Sequence, residues 1–129
     1  MFLKPVVAIL VAAGLSGSAF AAGRSELKVY FQSNLTDAVY QKKTFDRVAK
    51  KWKAPGASEI PEVGSKTVVQ AVIGRDGTLS STLVSLKSGK KGWDDATLRA
   101  VKSASPFDPL PAGFKPPSVE AHFHVSVVP

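Results

Sequence analysis

The chain has 129 residues, a net charge of +7 at pH 7 and no cysteine. Without cysteine, disulfide bonds, thiol nucleophiles and cysteine-based metal sites are excluded, so packing alone must hold the fold together. The basic surface favours anionic partners such as lipid headgroups or acidic proteins.

The N-terminus predicts a secretory signal peptide over residues 1–21. Lys4 gives a short positive start, an apolar run without charge follows from Val6 to Leu15, and Ala19-Phe20-Ala21 is a small-residue cleavage pattern. The run is short of the roughly 20 residues that span a bilayer. We therefore expect cleavage after Ala21 and a periplasmic protein, with an uncleaved membrane anchor as the alternative. Export makes nucleic acid the least expected anionic partner.

Residues 22–33 show no clear period, and residues 22–35 are expected to form a flexible lead-in to a single domain over residues 36–129. Asn34 or Thr36 is a candidate cap for a helix that ends near Trp52, before Pro55. Its apolar face comprises Ala38, Gln41, Phe45, Val48 and Trp52. The opposite, solvated face carries the basic cluster Lys42, Lys43, Arg47, Lys50, Lys51 and Lys53.

A β-hairpin is predicted next. The β-branched stretch Lys66 to Ile73 and the stretch Thr78 to Lys87 flank Gly74-Arg75-Asp76-Gly77, and an Asp-Gly pair suits a tight turn between antiparallel strands. The apolar phase changes along the second stretch. This change indicates a bulge near Ser81 to Leu83, or a strand that is partly covered on both faces.

A second helix is predicted from Asp94, as its cap, to about Ser103, with Trp93 and Leu98 as a hydrophobic staple. A proline-rich connector over residues 106–117 follows. The last segment alternates strictly and predicts a half-buried strand. One face has Val119, Ala121, Phe123, Val125 and Val127, and the other has Glu120, His122, His124 and Ser126.

The predicted order is α-β-β-α-β, an α+β fold with a three-stranded antiparallel sheet and two helices on one face. Because the two hairpin strands must be neighbours, the third strand lies outside them. Val119 to Val127 should therefore be an edge strand, and it carries no lysine and no internal proline to protect it. We expect Trp52, Ile73, Leu98 and Phe123 in the core.

This order resembles the C-terminal domain shared by the TonB and TolA proteins, from about Tyr40 to Val127. The resemblance is carried by Trp52-Lys53-Ala54-Pro55, by Val72-Ile73-Gly74-Arg75-Asp76-Gly77-Thr78-Leu79, and by Ser88-Gly89 with Trp93-Asp94-Asp95-Ala96-Thr97-Leu98-Arg99-Ala100-Val101. It is also carried by Ser105-Pro106-Phe107 with Pro109-Leu110-Pro111, and by the strand containing Phe123. The helix end Trp-x-x-Pro is closer to the TolA pattern.

The resemblance implies a non-enzymatic periplasmic module without a cofactor. Such domains bind an extended peptide beside the last strand, in a Gram-negative cell envelope, in connection with outer-membrane transport or envelope integrity. The expected partner is an outer-membrane receptor or a Tol-type periplasmic component, and the same edge can pair two copies of the chain. The implied partner-binding residues are Val119, Glu120, Ala121, His122, Phe123, His124, Val125, Ser126 and Val127.

Two other functions stay open. If residues 1–21 are retained, the chain would be a membrane-anchored transducer, although it lacks the long linker and the anchor histidine of that family. His122 and His124 project from one face and could bind zinc or copper with Glu120, but two exposed strand histidines are the simpler interpretation. No serine lies in a recognisable nucleophile turn, so an acyl-transfer site is not predicted.

Overall fold

The computed structural model describes the backbone of residues 6–10 and the whole of residues 24–129. The elements are β1 (Val6–Leu10), β2 (Arg24–Phe31), α1 (Ala38–Lys51), a short 3-10 helix (Ala57–Glu59), β3 (Lys66–Gly74), β4 (Leu79–Leu86), α2 (Lys91–Ala104) and β5 (Ser118–Val128). The predicted signal peptide lies outside the described residues except for β1, so its cleavage stays a prediction.

The strands form one antiparallel sheet in the order β1-β2-β5-β3-β4. The predicted α+β class with two helices is confirmed, but the predicted count of three strands is wrong. Within residues 24–129, the strand that was not predicted is β2. It pairs with β5 from Arg24 opposite Val128 to Phe31 opposite Ala121. A flexible lead-in over residues 22–35 is therefore also wrong, because most of that segment is sheet.

Helix α1 begins after Asp37, whose carboxylate accepts the Tyr40 N–H at 2.9 Å. Neither Asn34 nor Thr36 is the cap: Asn34 has a φ of 63° and belongs to the turn between β2 and α1. The helix ends at Lys51 with Trp52 as its C-terminal cap, in agreement with the predicted end near Trp52. On its predicted apolar face, Gln41, Phe45 and Val48 are buried and Trp52 is half-buried. Ala38, in the first turn, is exposed and does not belong to that face, and the basic cluster is exposed to solvent.

The predicted hairpin is confirmed as β3 and β4. The pairing register shifts twice along β3, between Val68 and Val69 and between Val72 and Ile73. Two residues of β4, Ser85 and Ser80, therefore have no partner on β3. These irregularities flank the predicted bulge at Ser81 to Leu83 instead of coinciding with it.

The hairpin turn is bound to the proline-rich connector. The Phe107 N–H donates to the Gly77 carbonyl at 2.8 Å, and the Leu110 N–H donates to the Arg75 carbonyl at 3.0 Å. The Arg75 guanidinium donates in turn to the carbonyls of Pro111, Phe114 and Pro116. The Arg-Asp-Gly turn thus does more than reverse the chain, because it organises a segment that has no secondary structure of its own.

Helix α2 begins at Lys91, and Asp94 is not its cap. The buried Asp94 carboxylate accepts the Thr67 hydroxyl at 2.6 Å, and the Ser88 N–H and hydroxyl at 2.9 Å each. It therefore ties β3, the loop after β4 and α2 together. Trp93 lies within the helix, so it is not a staple residue before a cap. Its indole donates to the Val125 carbonyl at 3.2 Å.

A single core fills the space between the two helices and one face of the sheet. Of the predicted core residues, Ile73 and Phe123 are fully buried, while Trp52 and Leu98 are partly buried at its border. Trp52 and Trp93 pack edge to face with ring centroids 5.0 Å apart. The sheet contributes Leu27, Val29 and Phe31 from β2, Val69, Ala71 and Ile73 from β3, and Val119, Ala121, Phe123, Val125 and Val127 from β5.

Candidate functional site

The predicted docking strand is an interior strand of the sheet. All nine residues from Val119 to Val127 lie on β5, with β2 along one side and β3 along the other. The predicted alternation of buried and half-buried side chains is confirmed. The predicted free edge is wrong, because Val119–Val127 already has a strand hydrogen-bonded on each side.

Strand β2 takes the place that we expected a partner to occupy. Its inward side chains, Leu27, Val29 and Phe31, are at most 4 % exposed, so the strand is an integral part of the core. The sequence contained a weak signal for it, since these three residues alternate with Lys28 and Tyr30. Tyrosine is apolar enough to hide that alternation, and this is why the segment looks aperiodic.

The backbone directions show which side of β2 faces away from β5. The Gln32 N–H donates to the Glu120 carbonyl on β5 at 3.1 Å. Since backbone groups alternate sides along a strand, Lys28 and Tyr30 also face β5, and Val29 faces away from it. That outer side of β2 pairs with β1. On the opposite side of the sheet, the outer edge of β4 has no strand partner among the described residues.

The face of the sheet away from the helices carries the two histidines. His122 Nε2 lies 2.5 Å from a Glu120 oxygen, and the rings of His124 and Tyr30 lie 4.6 Å apart. Burial, reinforced by nearby Lys66, His122 and Lys28, lowers the pKa of His124 to about 4. His124 is therefore neutral at pH 7.

This environment argues against a metal centre at the two histidines. Residues 24–129 contain no cluster of three or more His, Asp or Glu side chains that could hold an ion. The cationic Lys28 and Lys66 act on His124 itself, and they would oppose a divalent cation there.

Two apolar features lie on β4 and near the start of β2. On β4, Leu83 and Leu86 are 60 % and 46 % exposed, on the face away from the helices. Near the start of β2, a small apolar pocket lies below the end of α1. It is lined by Ser25, Leu27, Val48, Ala49, Trp52 and Val125.

The basic face of α1 forms a shallow cleft with the connector, in which Arg47 pairs with Asp108 at 2.8 Å. Lys42 pairs with Asp46 at 2.8 Å on the same helix. The other lysines of the basic cluster are solvated, in agreement with the predicted solvated face.

No helix in the described residues has the length and apolar character needed to cross a bilayer.

Comparison with known proteins gives one match. The family model described as TonB C terminal matches residues 37–123, from the cap of α1 to the middle of β5. Neither a curated protein nor a solved structure matches. Domains of the matched family are periplasmic protein-interaction modules and not enzymes. Strand β2 lies outside the matched residues. Because the match covers most of the sequence, the chain belongs to the TonB C-terminal family.

Proposed function

We propose that the protein is an exported periplasmic adaptor that binds an extended segment of an envelope protein by strand addition. Its partner would be an outer-membrane receptor or a Tol-type component, and its role would lie in outer-membrane transport or envelope integrity. The observation that carries the proposal is the family match over residues 37–123. An antiparallel sheet with an open edge on β4 is compatible with it, because strand addition needs unpaired backbone groups.

Export by a cleaved signal peptide is part of this proposal. The supporting pattern is the apolar run after Lys4 followed by Ala19-Phe20-Ala21. Mass spectrometry of the protein recovered from the periplasm should give an N-terminus at Ala22. A chain that retains Met1 and stays with the inner membrane would instead support the anchored transducer.

The partner can be sought by site-specific photo-crosslinking, because the chain has no native cysteine. A photo-reactive label would be attached to single cysteines introduced by Lys28→Cys on β2, Leu83→Cys on β4 and Lys50→Cys on the far side of α1. After incubation with a Gram-negative envelope extract, we expect a receptor or Tol-type protein to be crosslinked from β2 or β4. The Lys50→Cys protein is the matched control.

Crosslinking to an identified envelope protein from one sheet edge, and not from Lys50→Cys, would support the proposal. Equal crosslinking from all three positions would show that contact does not depend on a sheet edge. Absence of any receptor or Tol-type protein would show that this chain has the fold of the family without its role.

A further inference from the structure

The outer edge of β2 accepts an added strand in this structure. Val6–Leu10 pair with it antiparallel, with Val6 opposite Phe31 and Leu10 opposite Leu27. The added segment reads VVAIL and carries no charge. Because it lies within the predicted signal peptide, cleavage after Ala21 would remove it and leave the β2 edge unpaired.

We infer that the β2 edge is the docking edge of the exported protein. Its occupant is a short, extended, apolar segment of a partner protein, bound antiparallel in the position of β1. This inference rests on the proposed function and adds to it the edge, the strand direction and the chemistry of the bound segment.

The backbone of β2 offers a regular set of hydrogen-bonding groups to such a segment. The Gln32 N–H points to β5, so alternation turns the N–H and C=O groups of Leu27, Val29 and Phe31 toward the added strand. In the observed register these residues lie opposite Leu10, Ala8 and Val6, respectively. A partner strand would therefore form hydrogen bonds with the backbone groups of these three β2 residues through every second residue of its own backbone.

The β2 edge is also preorganised for binding. The side chains of Leu27, Val29 and Phe31 are anchored in the core, and the pairing of β2 with β5 runs without a register shift. The backbone of β2 therefore needs little further ordering when a partner binds, and this lowers the entropic cost of binding and favours affinity. Protection against unwanted strands is slight, since Lys28 is the one lysine on the strand and there is no proline.

The apolar character of the bound segment is indicated by what surrounds the edge. Helix α1 packs against β1 as well as β2, so it covers one face of an added strand. The apolar pocket lined by Leu27, Val48 and Trp52 lies at the end of β2 where Leu10 is paired. Backbone bonds would give affinity, and an apolar side chain near this pocket would give selectivity.

The other strands fit the role less well. Strand β5 is paired on both sides, and releasing β2 from it would expose three buried side chains. Strand β4 is open, but its two register shifts break the regular alternation that an added strand needs. A second copy of the chain would bring together two strongly basic proteins, and the single Glu26 on β2 does not offset Arg24 and Lys28. This net repulsion favours a different partner.

Residue-specific hydrogen exchange of the exported protein tests whether the edge is open. The amides of Leu27, Val29 and Phe31 should exchange fast, while those of Lys28 and Tyr30, which pair with β5, should exchange slowly. The uncleaved precursor should protect both sets. Protection of the first set in the exported protein at all concentrations would overturn the inference. Protection that appears only at high protein concentration would identify a second copy as the occupant, and would overturn it too.

Two N-methylated peptides test the direction and register of binding. The probe is a synthetic peptide of residues 4–11 with two lysines appended for solubility, titrated into the exported protein. N-methylation at Ala8 removes an N–H that faces Val29, so it should weaken binding about tenfold or more. N-methylation at Ile9, whose N–H faces away from β2, is the matched control and should have little effect. Equal binding of the two peptides, or no binding of the parent peptide, would refute docking at this edge.

Competition separates this inference from the proposed function. The parent peptide should reduce crosslinking of the envelope partner from the Lys28→Cys protein. If the partner is crosslinked from Leu83→Cys and the peptide does not compete, the adaptor function stands and the β2 edge is not its site. If the peptide binds in the predicted register and no envelope partner is found, the edge is established as a strand acceptor and the adaptor function fails.

Discussion

The Gly77→Ala substitution tests how the hairpin turn is joined to the proline-rich connector. Gly77 has a φ of +93°, and an added Cβ would lie 2.0 Å from the Phe107 carbonyl oxygen. This contact is with backbone, so no side chain can rotate away to relieve it. Gly89 has a similar φ of +100° with nothing within 4 Å of an added Cβ, and Gly89→Ala is therefore the matched control.

The expected cost follows from these two environments. Gly89→Ala should destabilise the fold by about 1–2 kcal/mol, the cost of placing an L-residue in a left-handed conformation. Gly77→Ala carries the same cost and must also displace the connector. This displacement breaks the hydrogen bonds from Phe107 to Gly77 and from Leu110 to Arg75, which contribute about 0.5–1.5 kcal/mol each. We expect a total of about 2–5 kcal/mol, a large share of the stability of a small domain.

Urea unfolding followed by tryptophan fluorescence measures both variants, since Trp93 is buried and Trp52 is packed against it. The midpoint should fall for each variant at a similar denaturant slope, and further for Gly77→Ala. Two free energies of unfolding within about 0.5 kcal/mol of each other would refute the reasoning. They would mean that the connector does not depend on its contact with the turn.

Three further perturbations test other parts of the structure. Asp94→Ala leaves the Thr67 hydroxyl and the Ser88 N–H without their acceptor, and should cost about 2–4 kcal/mol in urea unfolding; a loss below about 0.5 kcal/mol would contradict the bridging role. Phe123→Ala removes a fully buried ring and should cost about 3–5 kcal/mol, so an unchanged melting temperature would contradict its assignment to the core. For His124, the folded-state pKa of about 4 lies below the ordinary value of 6.5. The unfolded chain therefore binds the proton first, and the stability present above pH 6.5 is lost as the pH falls toward 4. After allowance for solvent screening this loss is about 1–2 kcal/mol. His124→Gln should lose less stability than the wild type between neutral and acidic pH, and parallel losses would show that His124 is not responsible.

Local signals in the sequence predict most of the secondary structure. The Asp76-Gly77 pair places the hairpin, and strict alternation places β5 and its buried face, because both patterns report backbone geometry within a few residues. The helix caps are less predictable. Several polar residues precede each helix, and only the folded chain decides that Asp37 caps α1 while Asp94 is drawn into the interior.

The sequence by itself therefore determined the two helices, the hairpin, the last strand and the family of the chain. The tertiary structure alone decided where the sheet ends. Pairing between β2 and β5 joins segments at opposite ends of the domain through backbone groups that every residue carries, so no side-chain pattern specifies the partner strand. That pairing places Val119–Val127 inside the sheet, and the outer side of β2, where β1 is paired, is the side on which a further strand is added.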